Sequence, residues 1–186
     1  FSDLSDNTGD NVTSTTNSSA VLFDKTAPSL SQVTAVTSIT GDTTPDYTFN
    51  SNEAGTITVG GACNSSKTNA SAGDNLITFG TTSALSGGTY SNCTIKVKDS
   101  ANNASSPLSV NTFTIDTTPP TLSEVTAVPT PDNDSTPNYT FRSNEAGIIT
   151  YVGDCSSTDN TSGASDKTIT FNALADGTHS NCIIKV

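Results

Sequence analysis

The chain has 186 residues and carries 18 Asp and Glu side chains against seven Lys and Arg, which gives a net charge of −11 at neutral pH. Such a chain lacks the cationic surface that a nucleic acid requires, and its charge favours a cationic partner such as a divalent metal. Only 32% of the residues are hydrophobic, Thr, Ser and Asn supply 79 residues, and no apolar run is long enough to span a bilayer, so we expect neither a large core nor a membrane-spanning helix.

Hydrophobic side chains in the first half of the chain lie in short alternating segments that are separated by turn residues. This pattern is typical of a β-sandwich and predicts strands at residues 31–36, 46–50, 56–59, 76–79, 89–97 and 108–115. The alternation breaks between Tyr90 and Cys93, which predicts a β-bulge at residues 91–92.

An internal repeat organises the chain. Residues 24–63 recur at an offset of 92, with 24 of 40 positions identical, and the offset falls to 89 at Cys93 and Cys182. Ile77 and Phe79 stay apolar in the second copy whereas Leu76 becomes Thr, so the first two are predicted to be buried and Leu76 to be exposed. The period is that of one small domain.

The repeat predicts three segments. Residues 24–115 form one complete repeat, and residues 116–186 form a second repeat that lacks its last strand. Residues 1–23 are predicted to be the two closing strands of a preceding repeat, because Ala20-Val21-Leu22-Phe23-Asp24 matches Thr112-Phe113-Thr114-Ile115-Asp116.

These incomplete ends predict end-to-end joining of neighbouring copies. The second repeat stops at Val186, which matches Val97, so we expect it to have an open sheet edge that invites strand pairing. Two alternatives give the same fibre: the chain is an excerpt of a longer covalent array, or separate subunits donate residues 1–23 to their neighbours.

Each repeat contains two Cys at equivalent positions. A repeating unit is expected to close its own bridge, which favours Cys63–Cys93 and Cys155–Cys182, although three connectivities are open to four Cys. The alternative of a zinc site lacks a CxxC pair and has a single His, His179. Bridges of this size stabilise a domain by about 3–4 kcal/mol and require an oxidising compartment.

The order of four motifs resembles the tandem bacterial immunoglobulin-like repeats of long extracellular surface proteins and adhesins. The motifs are Ile115-Asp116-Thr117-Thr118-Pro119-Pro120, Ser143-Asn144-Glu145-Ala146-Gly147, Gly88-Thr89-Tyr90-Ser91-Asn92-Cys93 and Asp99-Ser100-Ala101-Asn102-Asn103. The resemblance covers nearly the whole chain. It implies tandem immunoglobulin-like β-sandwich domains, each with one internal disulfide, in a non-catalytic extracellular or cell-surface protein.

The same resemblance implies that the domain entry and two loops lie at one end of each domain. Those places carry hard oxygen ligands of the kind that Ca²⁺ prefers, which predicts a calcium site that stiffens domain junctions. The candidate ligands are Asp24, Glu53, Asp99 and Asn102 in the first repeat and Asp116 and Glu145 in the second. The alternative is that these carboxylates only cap turns.

No catalytic constellation is present in the sequence. His179 is matched by Tyr90 in the first repeat, which favours a partly buried aromatic position over a catalytic base. We therefore expect a structural module of a filament, stalk or adhesin rather than an enzyme. The alternatives are a module that binds a glycan or a protein, and an accessory domain of a secreted enzyme. Sequons such as Asn64 and Asn103 are candidate acceptors of a glycan.

Overall fold

The computed structural model describes residues 23–186, in which the chain is all-β and contains no helix. The chain divides into two compact units, Phe1–Thr117 and Thr118–Val186. The boundary falls just after the one predicted between residues 115 and 116. The closing strands predicted at residues 1–23 lie outside the described residues, apart from Phe23, which is not in a strand.

The first unit is built from short strands connected by turns and loops. In chain order these strands are β1 (Leu30–Thr34), β2 (Ile39–Thr40), β3 (Asp46–Ser51), β4 (Gly55–Gly60), β5 (Asn69–Ala70), β6 (Gly73–Thr78), β7 (Gly88–Tyr90), β8 (Thr94–Lys98), β9 (Leu108–Ser109) and β10 (Phe113–Ile115). They form three sheets with strand orders β1-β3-β6, β5-β4-β8-β9 and β2-β10-β7. Only the contact between β10 and β2 is parallel.

All three sheets contribute side chains to one core. Tyr47 and Phe49 from β3 are completely buried, as are Ile95 and Val97 from β8, and Phe113 from β10 joins them. Alternate residues of each strand point inwards, as the period-two pattern predicts. Ile77 and Phe79 are buried and Leu76 is exposed, which confirms the phase inferred from the repeat.

The second unit repeats the pairing of the first over most of its strands. Its strands are β11 (Leu122–Thr126), β12 (Asn138–Ser143), β13 (Gly147–Ile148), β14 (Thr150–Val152), β15 (Thr161–Ser162), β16 (Asp166–Thr170) and β17 (Ile183–Lys185). The sheet β11-β12-β16 corresponds to β1-β3-β6. The register is identical at the offset of 92, since Leu30 faces Ser51 and Leu122 faces Ser143, and the irregularity after Gln32 recurs after Glu124.

Each unit contains one disulfide, Cys63–Cys93 in the first and Cys155–Cys182 in the second, with Cα–Cα distances of 5.3 and 5.2 Å. A glycine precedes each bridge in the left-handed region, Gly61 with φ of 77° and Gly153 with φ of 92°. A Cβ at Gly61 would clash with the carbonyl oxygen of Asn92. The glycines therefore allow the two backbones to approach closely beside the bridge.

Several strand boundaries differ from the sequence-based prediction. The strand predicted at residues 89–97 is divided into β7 and β8, which belong to different sheets. Residues 91–93 between them are in no strand, so the chain changes sheet where a bulge was predicted. The strand predicted at 108–115 is likewise divided into β9 and β10. The two-residue strands β2 and β5 were not predicted, since two residues carry no periodic signal and form only because a partner strand lies beside them.

The inward and outward positions of β6 generate a prediction on stability. We expect Ile77→Ala to lower the free energy of unfolding by about 2–5 kcal/mol, because it leaves a cavity in the core. Leu76→Ala removes a neighbouring side chain that is 52% exposed, and we expect a cost within about 0.5 kcal/mol. Urea unfolding followed by circular dichroism measures the free energy of unfolding of each variant. Equal losses for the two variants would contradict the assignment of Ile77 to the core and Leu76 to the surface.

Candidate metal centre in the first unit

Three carboxylates from distant parts of the sequence meet in the first unit. Asp24 lies before β1, Glu53 in the turn between β3 and β4, and Asp99 directly after β8. Each offers one oxygen, and these oxygens all lie within 4.8 Å of one another. Because two oxygens bound to one Ca²⁺ at about 2.5 Å can lie no more than about 5 Å apart, this spacing is compatible with a shared ion.

The turn that carries Glu53 is fixed by its own polar side chains. The hydroxyl of Ser51 donates to the carbonyl oxygen of Glu53 at 2.6 Å, and the Oδ1 of Asn52 accepts from the backbone N–H of Ser29 at 2.7 Å. A Cβ at Gly55 would clash with the carbonyl oxygen of Lys98, so this glycine lets β4 begin against the end of β8. The turn therefore holds Glu53 next to Asp99.

Asp99 is the buried member of the cluster. Its N–H donates to the carbonyl oxygen of Asn103 at 3.0 Å, and its Oδ1 accepts from the N–H of Asn103 at 2.8 Å. Asn102 closes this turn in the left-handed region with φ of 71°, and its N–H donates to the carbonyl oxygen of Asp99 at 3.3 Å. The loop is thus closed by Asp99 itself.

Asn103 connects two of the three acidic residues. Its side-chain amide donates to Oδ2 of Asp99 at 2.9 Å and to the backbone carbonyl oxygen of Asp24 at 3.2 Å. The sequence analysis named Asn103 only as the end of a motif and as a candidate glycan acceptor, and did not identify this bridging role. The spacing of four residues from Asp99, typical of a side chain that folds back onto its own loop, is the signal that could have identified it.

Hydrogen bonds stabilise the ionised form of Asp99. Burial raises the pKa of Asp99, but hydrogen bonds from the side chain and backbone of Asn103 and from the backbones of Ala101 and Asn102 outweigh it, and the pKa is lowered. Within residues 23–186, the ion pairs made by Arg142, Lys167 and His179 involve other acids. The Asp99 carboxylate therefore stays ionised near neutral pH.

The predicted ligands of the second repeat are not assembled in the same way. The turn of Glu145 repeats that of Glu53, since the hydroxyl of Ser143 donates to the carbonyl oxygen of Glu145 at 2.6 Å. Asp116, however, follows β10 in the first unit, where its N–H donates to the carbonyl oxygen of Thr40. Among the described residues, only Asp24, Glu53 and Asp99 form a cluster with metal-ligand spacing.

His179 occupies the position of Tyr90 in the other unit. Its Nε2 lies 2.9 Å from the carbonyl oxygen of Ala175, and the hydroxyl of Tyr90 donates to the matching carbonyl oxygen of Ser86 at 3.0 Å. Its Nδ1 lies 3.7 Å from Oδ2 of Asp154. The ring is partly buried and makes the same loop contact as a tyrosine, which is a structural role.

Comparison with protein-family models, with curated proteins and with solved structures gives no match for the chain. Within the described residues no helix is long and apolar enough to cross a membrane.

The lowered pKa of Asp99 generates a prediction on acid stability. Folding lowers this pKa from its ordinary value of 3.8, so the ionised carboxylate stabilises the fold above that value, and this contribution is lost as the pH falls through the lowered pKa. We expect Asp99→Asn to be less stable than the parent chain at neutral pH and to lose less stability on acidification.

Urea midpoints between about pH 7 and about pH 3 measure this difference. Asp74→Asn, which changes an exposed carboxylate of the same unit, is the matched control and should retain the pH dependence of the parent chain. If Asp99→Asn also retained it, the hydrogen bonds around Asp99 would not be what holds this loop.

Proposed function

We propose that the chain is a non-catalytic structural module of an extracellular filament, stalk or surface adhesin. In this proposal its units are immunoglobulin-like domains of the bacterial tandem type, joined end to end. The observation that carries the proposal is the repetition of β1, β3 and β6 as β11, β12 and β16 in an identical register. A chain made of equivalent small domains can be extended by further copies without a new fold.

The disulfides support an extracellular setting. Each unit closes its own bridge, and the described chain has no free Cys. Disulfides form and persist in oxidising compartments, outside the cytosol in most organisms. A domain with a thin core gains the most from such a bridge, because the crosslink lowers the conformational entropy of the unfolded chain.

The local roles of the polar residues support a structural rather than a catalytic function. The carboxylates of the candidate metal centre are hydrogen-bonded into the turns that they close, and His179 replaces a tyrosine in a loop contact. A general base would instead need a positioned acceptor beside a reactive group.

We further propose that Ca²⁺ binds at Asp24, Glu53 and Asp99 and stiffens the entry into the first unit. The three carboxylates supply hard oxygens, and carbonyl oxygens or waters would complete a shell of about six to eight ligands. An ion shared by the entry segment and two loops would fix the direction in which the chain enters the domain. A directional entry is useful to a stalk, because it resists bending.

The calcium proposal predicts a stabilisation that depends on the ion. At a Ca²⁺ concentration about 100-fold above the Kd, we expect a stabilisation of about 2.7 kcal/mol, visible as a rise of several degrees in the Tm. EDTA should reverse it. Asp24→Asn combined with Glu53→Gln should remove the rise, whereas Asp74→Asn should leave it unchanged. A Tm that does not respond to Ca²⁺ would contradict the metal site and leave turn capping as the role of these acids.

The structural function predicts where the protein lies on the native cell. We expect gold-labelled antibodies raised against the chain to mark thin surface threads at regular intervals along their length, because the repeating module forms the thread itself. Electron microscopy of intact, unpermeabilised cells measures this distribution. A label confined to thread tips would instead favour an adhesive binding module, and a label only in the culture medium would favour an accessory domain of a secreted enzyme.

A further inference from the structure

One outer face of the first unit combines an exposed apolar side chain with acidic residues. On β6 the outward residues are Asp74, Leu76 and Thr78, and Leu76 lies opposite Thr48 of β3. Asp46 and Asp74 lie towards opposite ends of this pair of strands, and both are exposed. The outward positions of β3 and β6 are called the Leu76 face below.

Neutral donors contact the two carboxylates of the Leu76 face. Asp46 and Asp74 each accept one hydrogen bond at 2.6 Å, from the side chains of Thr78 and Asn50. Within the described residues, the ion pairs involve other acids. Lys67 lies at the edge of the same sheet, where its Nζ donates to a backbone carbonyl oxygen of β6 at 2.7 Å. The face itself therefore presents two carboxylates and no cation.

The equivalent face of the second unit has neither property. Thr replaces Leu at position 168, and Asn replaces Asp at position 138. Asp166, which corresponds to Asp74, pairs with Nε of Arg142 at 2.6 Å. The combination of an exposed leucine and unpaired acids is therefore specific to the first unit.

The second unit is apolar on its other outer face. Ile148 and Val152 point outwards, because Ile149 and Tyr151 between them contribute to the core. Their side chains are 72% and 46% exposed. Val152 lies directly opposite Ile183 of β17. The outward positions of β13, β14 and β17 are called the Ile148 face below.

In the first unit the positions of these three apolar residues are small or polar. They are occupied by Thr56, Gly60 and Thr94. The exposed side chains of the second unit do not lie at a free sheet edge, since β13 pairs with β15 and β14 with β17, just as β4 pairs with β5 and β8. A cluster of exposed apolar side chains on a soluble domain is typical of an interaction site.

The Ile148 face also carries a cation. Lys185 lies opposite Thr150 and is exposed, as its counterpart Lys96 is in the first unit. The outward residues of β13, β14 and β17 include no acid. The Leu76 face and the Ile148 face therefore each have exposed apolar side chains, and their charged residues have opposite signs.

We propose that the Leu76 face of one copy packs against the Ile148 face of a second copy. Ile148 and Val152 then cover the leucine, and Lys185 approaches the two carboxylates. The occupant is a second copy because both complementary faces belong to this one chain, and two sheets can pack face to face in this way. The two faces differ, so the contact is heterologous. It joins copies side by side and is independent of the end-to-end joining in the proposed function.

Sedimentation equilibrium of the whole chain tests the contact. Copies that each carry a net charge of −11 repel one another, so the measurement uses an ionic strength of about 0.15 M, which screens this repulsion beyond about 8 Å. A contact centred on a few apolar side chains is weak. We therefore expect the weight-average mass to rise above that of the single chain between about 10 μM and about 1 mM.

The repeat itself supplies variants that preserve the fold. Leu76→Thr and Ile148→Thr each introduce the residue that the other unit carries at that position. Each should lower the association constant about tenfold, because an aliphatic side chain is no longer buried in the contact. Ile39→Thr is the matched control, since Ile39 is 66% exposed on β2, outside both faces, and this change should leave the association constant unaltered.

Charge reversal tests which faces meet. One chain carries Lys185→Asp, and the other carries Asp46→Lys with Asp74→Lys. Each chain alone then has like charges on both faces and should associate at least about tenfold more weakly than the parent chain. In an equimolar mixture of the two, opposite charges face each other again, and association should recover.

The mass of a single chain over the whole concentration range would overturn the contact. Weaker association with Ile39→Thr to the same degree as with Ile148→Thr would also overturn it, as would a charge-reversal mixture that associates no better than either chain alone. Circular dichroism establishes that every variant is folded. Surface threads labelled along their length would survive any of these results, so a failure of this inference is distinguishable from a failure of the proposed function.

Discussion

The first unit depends on the insertion of β10 between β2 and β7. The chain leaves β8 and returns through β9 to place Phe113 between Phe79 and Tyr90. Without that strand, two sheet segments lose their hydrogen-bond partner and the aromatic end of the core is uncovered. In the second unit the core positions Val128, Tyr139 and Ile184 are only partly buried.

A core built from so few hydrophobic residues is supplemented by side-chain amides and hydroxyls that bond to the backbone. Asn111 is an example, since its Oδ1 accepts from the N–H of Val36 at 3.0 Å and its Nδ2 donates to the carbonyl oxygen of the same residue at 2.8 Å. Asn75 bonds in the same two-sided way to Ser71. Such amides supply hydrogen bonds to backbone groups that have no neighbouring strand where the ladders end. A chain rich in Asn, Ser and Thr can therefore satisfy the backbone N–H and C=O groups of its loops.

The sequence by itself determined the all-β class, the repeat and the burial of Ile77 and Phe79, because periodicity and internal repetition are local features of a chain. It favoured the two disulfides, but the structure selected them from three possible connectivities. It brought Asp24, Glu53 and Asp99 together only through a resemblance that placed three loops at one end. Only the tertiary structure decided the two-residue strands, the division of the long predicted strands between sheets and the bridging role of Asn103. Each of these depends on which distant segment lies alongside, and pairing between distant segments has no periodic signature in the sequence.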